Sequence, residues 1–107
     1  MASEPNHSSV HFNKGIVLEK LKLGNSAIES YKKCVEINSD NDDAHYNLGN
    51  LLYYQKLYKE ALEHLDKAIE INPNDFNYYY NKGVVLTKTG NIQEAEASFR
   101  IYRKLLS

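Results

Sequence analysis

The stretch YNLG at residues 46–49 occurs in two variant forms, FNKG at residues 12–15 and YNKG at residues 80–83. Each copy begins 34 residues after the previous one. At this interval the chain divides, without any insertion, into three units: residues 8–41, 42–75 and 76–107. A constant interval of about 20 to 50 residues is typical of stacked structural repeats. We therefore predict three tandem repeats.

Each unit has the residue pattern of two helices. In the middle unit Tyr46, Gly49 and Leu52 recur at three-residue spacing, which is typical of one helix face. A second apolar run with the same periodicity begins at Ala61. The alternation typical of strands is absent from the sequence. We predict an all-α fold, an α-α superhelix of three antiparallel helix pairs, with residues 1–7 as a disordered leader.

A glycine stands at the same place in all three units, and so does an alanine twelve residues later. These positions are Gly15, Gly49 and Gly83, and Ala27, Ala61 and Ala95. Glycine within a helix costs about 1 kcal/mol relative to alanine, so a repeated glycine needs a compensating gain. Close packing of the paired helices would supply that gain, and we expect the alanines to face the glycines.

Charge and composition limit the classes of partner. The chain has 13 basic and 14 acidic residues, well mixed, which gives no general attraction to nucleic acid or to an anionic membrane surface. It has no long apolar run, and the start MASEPNHSS lacks the apolar core of a signal peptide. A single cysteine, Cys34, favours a reducing compartment and a cytoplasmic protein, with Cys34 itself a small buried residue.

The repeated residues resemble the tetratricopeptide repeat, whose pattern is aromatic-x-x-Leu-Gly-x-x-aromatic, then alanine, a large apolar residue and proline. The middle unit carries the pattern most closely, through Leu48, Gly49, Ala61, Leu65 and Pro73. The resemblance extends over all three units, with single-site departures such as lysine at the leucine place in units one and three. It implies a right-handed superhelical stack whose first helices line a concave groove, and protein binding as the function.

The repeated asparagines need a separate explanation, because asparagine is a mediocre helix former. Asn13, Asn47 and Asn81 each stand two residues before a glycine, on the opposite side of the helix. In the resembling family this face lines the groove, and such an asparagine ladder holds the backbone of an extended peptide. The other candidates on this face are Phe12, Ile16, Tyr46, Asn50, Tyr53, Tyr54, Tyr80, Val84 and Lys88. The alternative is that the asparagines only hydrogen-bond within the stack.

One subtype of the family binds the acidic C-terminal tails of heat-shock chaperones through a clamp of lysine, arginine and asparagine. The corresponding residues here are Phe12, Ile16, Asn47, Asn77 and Asn81, of which only Asn47 matches. Without the cations a C-terminal carboxylate has no charge-assisted partner. We therefore expect that chaperone tails are not the partner.

The sequence offers no arrangement of catalytic or metal-binding residues. His7 and His11 are four residues apart but have no evident third ligand. There is no phosphate-binding loop and no zinc spacing. We expect a non-catalytic protein without cofactor or metal, whose partner is a protein or peptide.

A second interpretation is a self-associating module, or a fragment of a longer array that is attached to a catalytic domain such as a glycosyltransferase. Repeat stacks usually end in a polar capping helix. Here the last predicted helix, about Ile92 to Leu106, leaves an apolar strip that no later helix covers. The strip, through which we expect a homodimer, consists of Phe99, Ile101, Tyr102, Leu105 and Leu106.

Overall fold

The structure, a computed structural model, describes residues 7–107. Its six helices are α1 (His7–Lys20), α2 (Gly24–Ile37), α3 (Asp42–Tyr54), α4 (Tyr58–Ile71), α5 (Phe76–Lys88) and α6 (Ile92–Leu106). No strand is present in this part of the chain, so the predicted all-α class is confirmed. The predicted leader lies outside the described residues apart from His7, which begins α1.

The helices pack as three pairs, α1 with α2, α3 with α4 and α5 with α6. Each later pair also packs on the one before it, since α3 contacts α2 and α5 contacts α4. The stack is elongated, with extents of 50 × 26 × 21 Å. In addition α3 contacts α5, so the first helices of neighbouring pairs lie side by side. This arrangement brings predicted groove residues of α3 and α5 close to one another.

The turn within each pair has the same construction. In the middle pair the amide N–H of Leu57 donates to the carbonyl of Leu52, and that of Lys56 donates to the carbonyl of Tyr53, both at 2.9 Å. These two bonds form a Schellman motif, which requires a left-handed residue just after the helix. In the three turns that residue is Lys22, Lys56 and Gly90 in order, with φ angles of 65°, 65° and 84°. Only the third turn uses the residue type that adopts this conformation without strain.

The repeated glycines do allow close helix contact, as predicted, but their main neighbours are not the alanines. A Cβ atom at Gly15 would lie 2.6 Å from the ring of Tyr31, and one at Gly83 would lie 2.6 Å from the ring of Phe99. In the middle pair a Cβ at Gly49 would lie 3.0 Å from Leu65 Cγ and 3.2 Å from the carbonyl oxygen of Ala61. The repeat position that fills the space above each glycine is therefore 31, 65 and 99.

The core is continuous through the first two pairs and into α5. Its fully buried members include Ala27, Tyr31, Cys34, Leu48 and Leu65. Cys34 is a buried small residue, as predicted, and burial raises the pKa of its thiol. The core holds the first helices in register, so the surface they share is a rigid support for side chains.

Candidate functional site

A cleft of about 540 Å³ is lined by residues of α3 and α5 and by one residue near the C-terminal end of α1. It is lined by Glu19, Asn50, Tyr53, Tyr54, Tyr80, Asn81, Val84 and Val85. Its size is within the range of about 300 to 1,000 Å³ usual for ligand-sized clefts. Most of the lining comes from residues that the sequence predicted for the groove.

Asn81 is held in the cleft by the neighbouring repeat. Its Nδ2 atom donates to the hydroxyl of Tyr46 at 3.0 Å and to Oδ1 of Asn50 at 2.7 Å. The ring of Tyr46 is in turn fixed against the ring of buried Tyr78, with centroids 4.8 Å apart. These bonds leave Oδ1 of Asn81 as an acceptor and Nδ2 of Asn50 as a donor, neither with a partner among the described residues. One open acceptor and one open donor therefore belong to the same carboxamide pair.

Asn47 has a different partner. Its Nδ2 atom lies 3.4 Å from the hydroxyl of Tyr31, which is fully buried and donates to Oε1 of Glu19 at 2.5 Å. Burial, together with the neighbouring Glu19 carboxylate, raises the pKa of Tyr31 well above its ordinary value. The hydroxyl therefore keeps its proton and serves as a permanent donor to Glu19. This chain of bonds connects α3 through α2 to the wall of the cleft.

The three ladder asparagines are not equivalent in the structure. Asn13 is exposed and makes no side-chain hydrogen bond to any described residue, since no helix pair precedes it in that part of the chain. Only Asn81 lines the cleft, together with Asn50. Phe12 packs on Tyr31, at 6.0 Å between ring centroids, and Lys88 is exposed outside the cleft lining.

Three of the eight residues that line the cleft are tyrosines. Tyr53 and Tyr54 contact each other edge to face, with centroids 5.4 Å apart. Tyr80 lies 5.7 Å from the ring of Phe99 and 5.1 Å from that of Tyr102. Tyr54 is 78% exposed and Tyr80 is 45% exposed, so both rings remain open to a ligand.

Glu19 and Val85 are the lining residues that the sequence reasoning missed, and Glu19 is the charged one. It stands 34 residues before Tyr53, so the repeat alignment assigns both residues to one position of the first helix. Carrying each groove residue back by one repeat would therefore have found it. Its carboxylate gives the cleft a negative charge, and the predicted groove set contained no negatively charged residue.

The predicted apolar strip on α6 is smaller than expected. Phe99 is half-buried over Gly83, and Tyr102 is half-buried beside Phe76 and Tyr80. The two aromatic members are thus partly covered by α5 of their own repeat. Leu105 is also half-buried, which leaves Ile101 and Leu106 as the large exposed residues of the predicted set, 41% and 51% exposed.

Two further features concern residues 7–107. No three histidine, cysteine, aspartate or glutamate side chains in this range are grouped so that they could hold a metal ion. No helix in the same range combines the length and apolar character needed to cross a membrane.

Solved structures with the same arrangement of helices are numerous. MamA is 26% identical over 95% of this chain, with a TM-score of 0.91, and this chain spans 60% of MamA's length. The second TPR domain of Spaghetti (RPAP3), bound to the HSP90 peptide SRMEEVD, is 20% identical over 92% of this chain and 91% of its own, with a TM-score of 0.87. YrrB, a TPR protein with an unusual peptide-binding site, is 23% identical over 97% of this chain and 53% of its own, with a TM-score of 0.86.

Comparison of the sequence with known sequences and family models also indicates a family. Among curated proteins no sequence matches this chain at the threshold of the comparison. Three models of the tetratricopeptide repeat do match, at residues 25–56, 42–75 and 64–97. Together they span more than half of the chain. With the six-helix fold and its 34-residue period, they show that the chain belongs to the tetratricopeptide repeat family.

Proposed function

We propose that this chain is a non-catalytic interaction module that binds an extended segment of a partner protein across α1, α3 and α5. The observation that carries the proposal is the pair formed by Asn81 and Asn50. Their mutual bond of 2.7 Å leaves one acceptor and one donor open in a cleft lined by tyrosines. Peptide complexes of a structural neighbour with the same fold support the proposal.

An extended peptide has the complementary groups at every residue, one N–H donor and one C=O acceptor. A backbone N–H would donate to Oδ1 of Asn81, and a backbone carbonyl would accept from Nδ2 of Asn50. These contacts involve only backbone atoms of the partner. They would therefore fix the position of the bound segment without selecting its sequence. Selection is then left to the tyrosines and to Glu19.

Asn47 would extend the row of contacts by one repeat. Packed helices lie about 8 to 10 Å apart, which is close to three residues of extended chain. The bond of Asn47 Nδ2 to the hydroxyl of Tyr31 leaves its Oδ1 atom without a partner among the described residues. We therefore assign the backbone contacts first to Asn81 and Asn50, and next to Asn47.

Acidic chaperone tails are excluded in this proposal. The lining of the cleft holds no lysine or arginine, and its one charged member is Glu19. A peptide such as SRMEEVD, which occupies the second TPR domain of Spaghetti (RPAP3), would bring three carboxylate side chains and its own C-terminal carboxylate towards Glu19. Repulsion between these carboxylates and the carboxylate of Glu19 opposes binding.

Self-association is the second candidate function. Ile101 and Leu106 remain exposed on α6, so a second copy or a further repeat would find apolar surface there. The chain also spans only part of MamA and of YrrB. A longer array, with a catalytic domain such as a glycosyltransferase attached, would use the same surface to continue the stack.

Selection from a random peptide library tests the proposal. Peptides of about nine residues would span the three helix layers. We expect selected peptides to shift the side-chain amide NMR signals of Asn50 and Asn81, and to lose affinity by about fivefold or more in Asn81→Ala. Asn25→Ala, a change in an exposed asparagine of α2, is the matched control and should bind as the unmodified protein does. A library that yields no binder contacting these amides would refute the proposal.

A further inference from the structure

We infer that the cleft selects a positively charged side chain, arginine or lysine, in the segment it binds. This inference rests on the proposed function, because it names the side chain that accompanies the backbone contacts. The observations that carry it are the charge of the lining, the distribution of its open hydrogen-bonding atoms and its tyrosine rings.

The charge of the lining is negative. Glu19 is the only charged residue among the eight that line the cleft. Its Oε1 atom is held by the hydroxyl of Tyr31 at 2.5 Å, which fixes the carboxylate, and its Oε2 atom has no partner among the described residues. Lys82 on α5 is engaged 2.8 Å from Asp66 and does not line the cleft. A cation entering the cleft would therefore meet an anchored carboxylate.

The lysines near the mouth of the cleft do not reverse this sign. Lys20 and Lys88 share one repeat position with Tyr54, at the ends of α1 and α5. Both are exposed, and neither is part of the lining. Charges on flexible exposed side chains are screened by water and salt, whereas Glu19 is half-buried and held in place.

The open hydrogen-bonding atoms favour a donor-rich ligand. Glu19 Oε2 and Asn81 Oδ1 are acceptors and Nδ2 of Asn50 is a donor, while the hydroxyls of the three tyrosines can donate or accept. A guanidinium carries five N–H donors in a plane and no acceptor, so it can donate to Glu19 Oε2 and to the lone pair of Asn81 Oδ1 that the backbone contact leaves open. A carboxylate or phosphate ligand could accept from Nδ2 of Asn50 or from a tyrosine hydroxyl, but its charge would face the carboxylate of Glu19.

The tyrosine rings supply a second attraction for a cation. Tyr53, Tyr54 and Tyr80 present aromatic surface to the cleft, and Tyr54 is 78% exposed. A cation over the face of an aromatic ring gains about 0.5 to 1 kcal/mol at an exposed site. The aliphatic stem of arginine or lysine would pack on Val84 while its charged end reaches Glu19.

Two peptides of equal shape test the inference on the protein as it exists. The first is a nine-residue serine-glycine peptide with one central arginine, and the second has citrulline, which is neutral, in its place. Binding is followed by the NMR signals of the side-chain amides of Asn50 and Asn81. We expect the arginine peptide to bind about fivefold more tightly than the citrulline peptide at low salt, and SRMEEVD to bind more weakly than either.

Glu19→Gln keeps an acceptor for Tyr31 and removes the charge, so the preference for arginine over citrulline should fall to the smaller part that the tyrosine rings supply. Glu36→Gln, an equal charge change at an exposed residue of α2, should leave the preference intact. Tyr54→Leu should reduce the preference for arginine by removing one ring. Because Tyr54 is exposed, the change should not unfold the protein. The two wild-type peptide measurements decide the inference even if Glu19→Gln does not fold.

The outcomes separate the inference from the proposed function. If both serine-glycine peptides shift the Asn50 and Asn81 amides equally, peptide binding stands and the cationic preference is overturned. If arginine is preferred but the preference is as large in Glu19→Gln as in the unmodified protein, the assignment to Glu19 is overturned. If none of the three peptides affects these amides and the library yields no binder, the proposed function fails and the inference fails with it.

Discussion

The imidazole rings of His45 and His64 are joined Nδ1 to Nδ1 at 3.0 Å, and they stack with centroids 5.3 Å apart between α3 and α4. Nε2 of His45 lies 3.0 Å from the carbonyl oxygen of Ser39, so that nitrogen must carry the proton. In the neutral ring Nδ1 of His45 is then the acceptor, and Nδ1–H of His64 is the donor. Protonation of His45 would set two donors against each other.

The first prediction is a loss of stability in mild acid. Burial lowers the pKa of His45 and of His64 below the ordinary value of 6.5, with His45 as a further cause for His64. The unfolded chain therefore takes up protons near pH 6.5 that the folded chain does not. Stability from this pair is complete above that pH and is lost as the pH falls below it, by at most about 1.4 kcal/mol per pH unit for each histidine.

Urea unfolding at a series of pH values between about 5 and 8 measures this loss. In His64→Leu the remaining ring no longer has a titrating partner, so the slope of unfolding free energy against pH should be smaller. A free energy of unfolding that stays constant from neutral pH to pH 5 in the unmodified protein would contradict the prediction.

The second prediction concerns the contact between Gly83 and Phe99. A Cβ at Gly83 would lie 2.6 Å from the Phe99 ring, so Gly83→Ala should destabilise the protein by about 1 to 3 kcal/mol through overpacking. Phe99→Leu introduces the residue type that the middle repeat has at this position, and it should recover part of the loss in the double variant. Chemical denaturation of the two single variants and the double variant gives the coupling.

Gly24→Ala is the matched control for this prediction. A Cβ at Gly24 would meet no atom within 4 Å, so the change should be neutral or slightly stabilising. Equal unfolding free energies for Gly83→Ala and Gly24→Ala would show that the contact with Phe99 does not restrict residue size.

The third prediction concerns the left-handed residue in the turns. Lys56 adopts a φ of 65°, whereas the equivalent Gly90 adopts 84° without a side chain to clash. Gly90→Lys should lower stability by about 1 kcal/mol, because the left-handed conformation is unfavourable for residues with a Cβ. Lys56→Gly should have the opposite effect, reduced by the greater freedom of glycine in the unfolded chain. Thermal unfolding of both variants measures the effect. Shifts of the two melting temperatures in the same direction would contradict this account.

The fourth prediction tests self-association. If α6 mediates a dimer, Ile101→Lys with Leu106→Lys should abolish it, because charges replace the two large exposed apolar residues of the predicted strip. Val17→Lys, at a residue of α1 that is 54% exposed, should leave the dimer unchanged. Sedimentation at increasing concentration measures the association. An unmodified protein that is monomeric at roughly hundreds of micromolar would exclude a dimer of useful affinity.

The order and type of the helices could be predicted from the sequence alone. The helix periodicity and the helical glycine are local features of one repeat, so each unit by itself predicts a helix pair. The 34-residue interval then predicts that three such pairs follow one another. The repeated glycine therefore predicted close helix contact in all three pairs, although the side chains it meets are Tyr31, Leu65 and Phe99 and not the expected alanines. The same local reasoning identified Asn50, Tyr54 and other residues of the cleft.

The roles of the asparagines were decided only by tertiary structure. Asn47 and Asn81 occupy the same place in their repeats, and the residue sixteen positions earlier is Tyr31 for one and Leu65 for the other. The hydroxyl of Tyr31 accepts from Asn47, whereas Leu65 offers no polar atom, and Asn81 donates to Tyr46 and to a neighbouring asparagine instead. Glu19 of the first repeat lines the same cleft as Asn81 of the third repeat. A repeat sets the direction of a side chain, but the packed neighbouring repeat supplies its partner, because hydrogen bonds act over about 3 Å and not along the sequence.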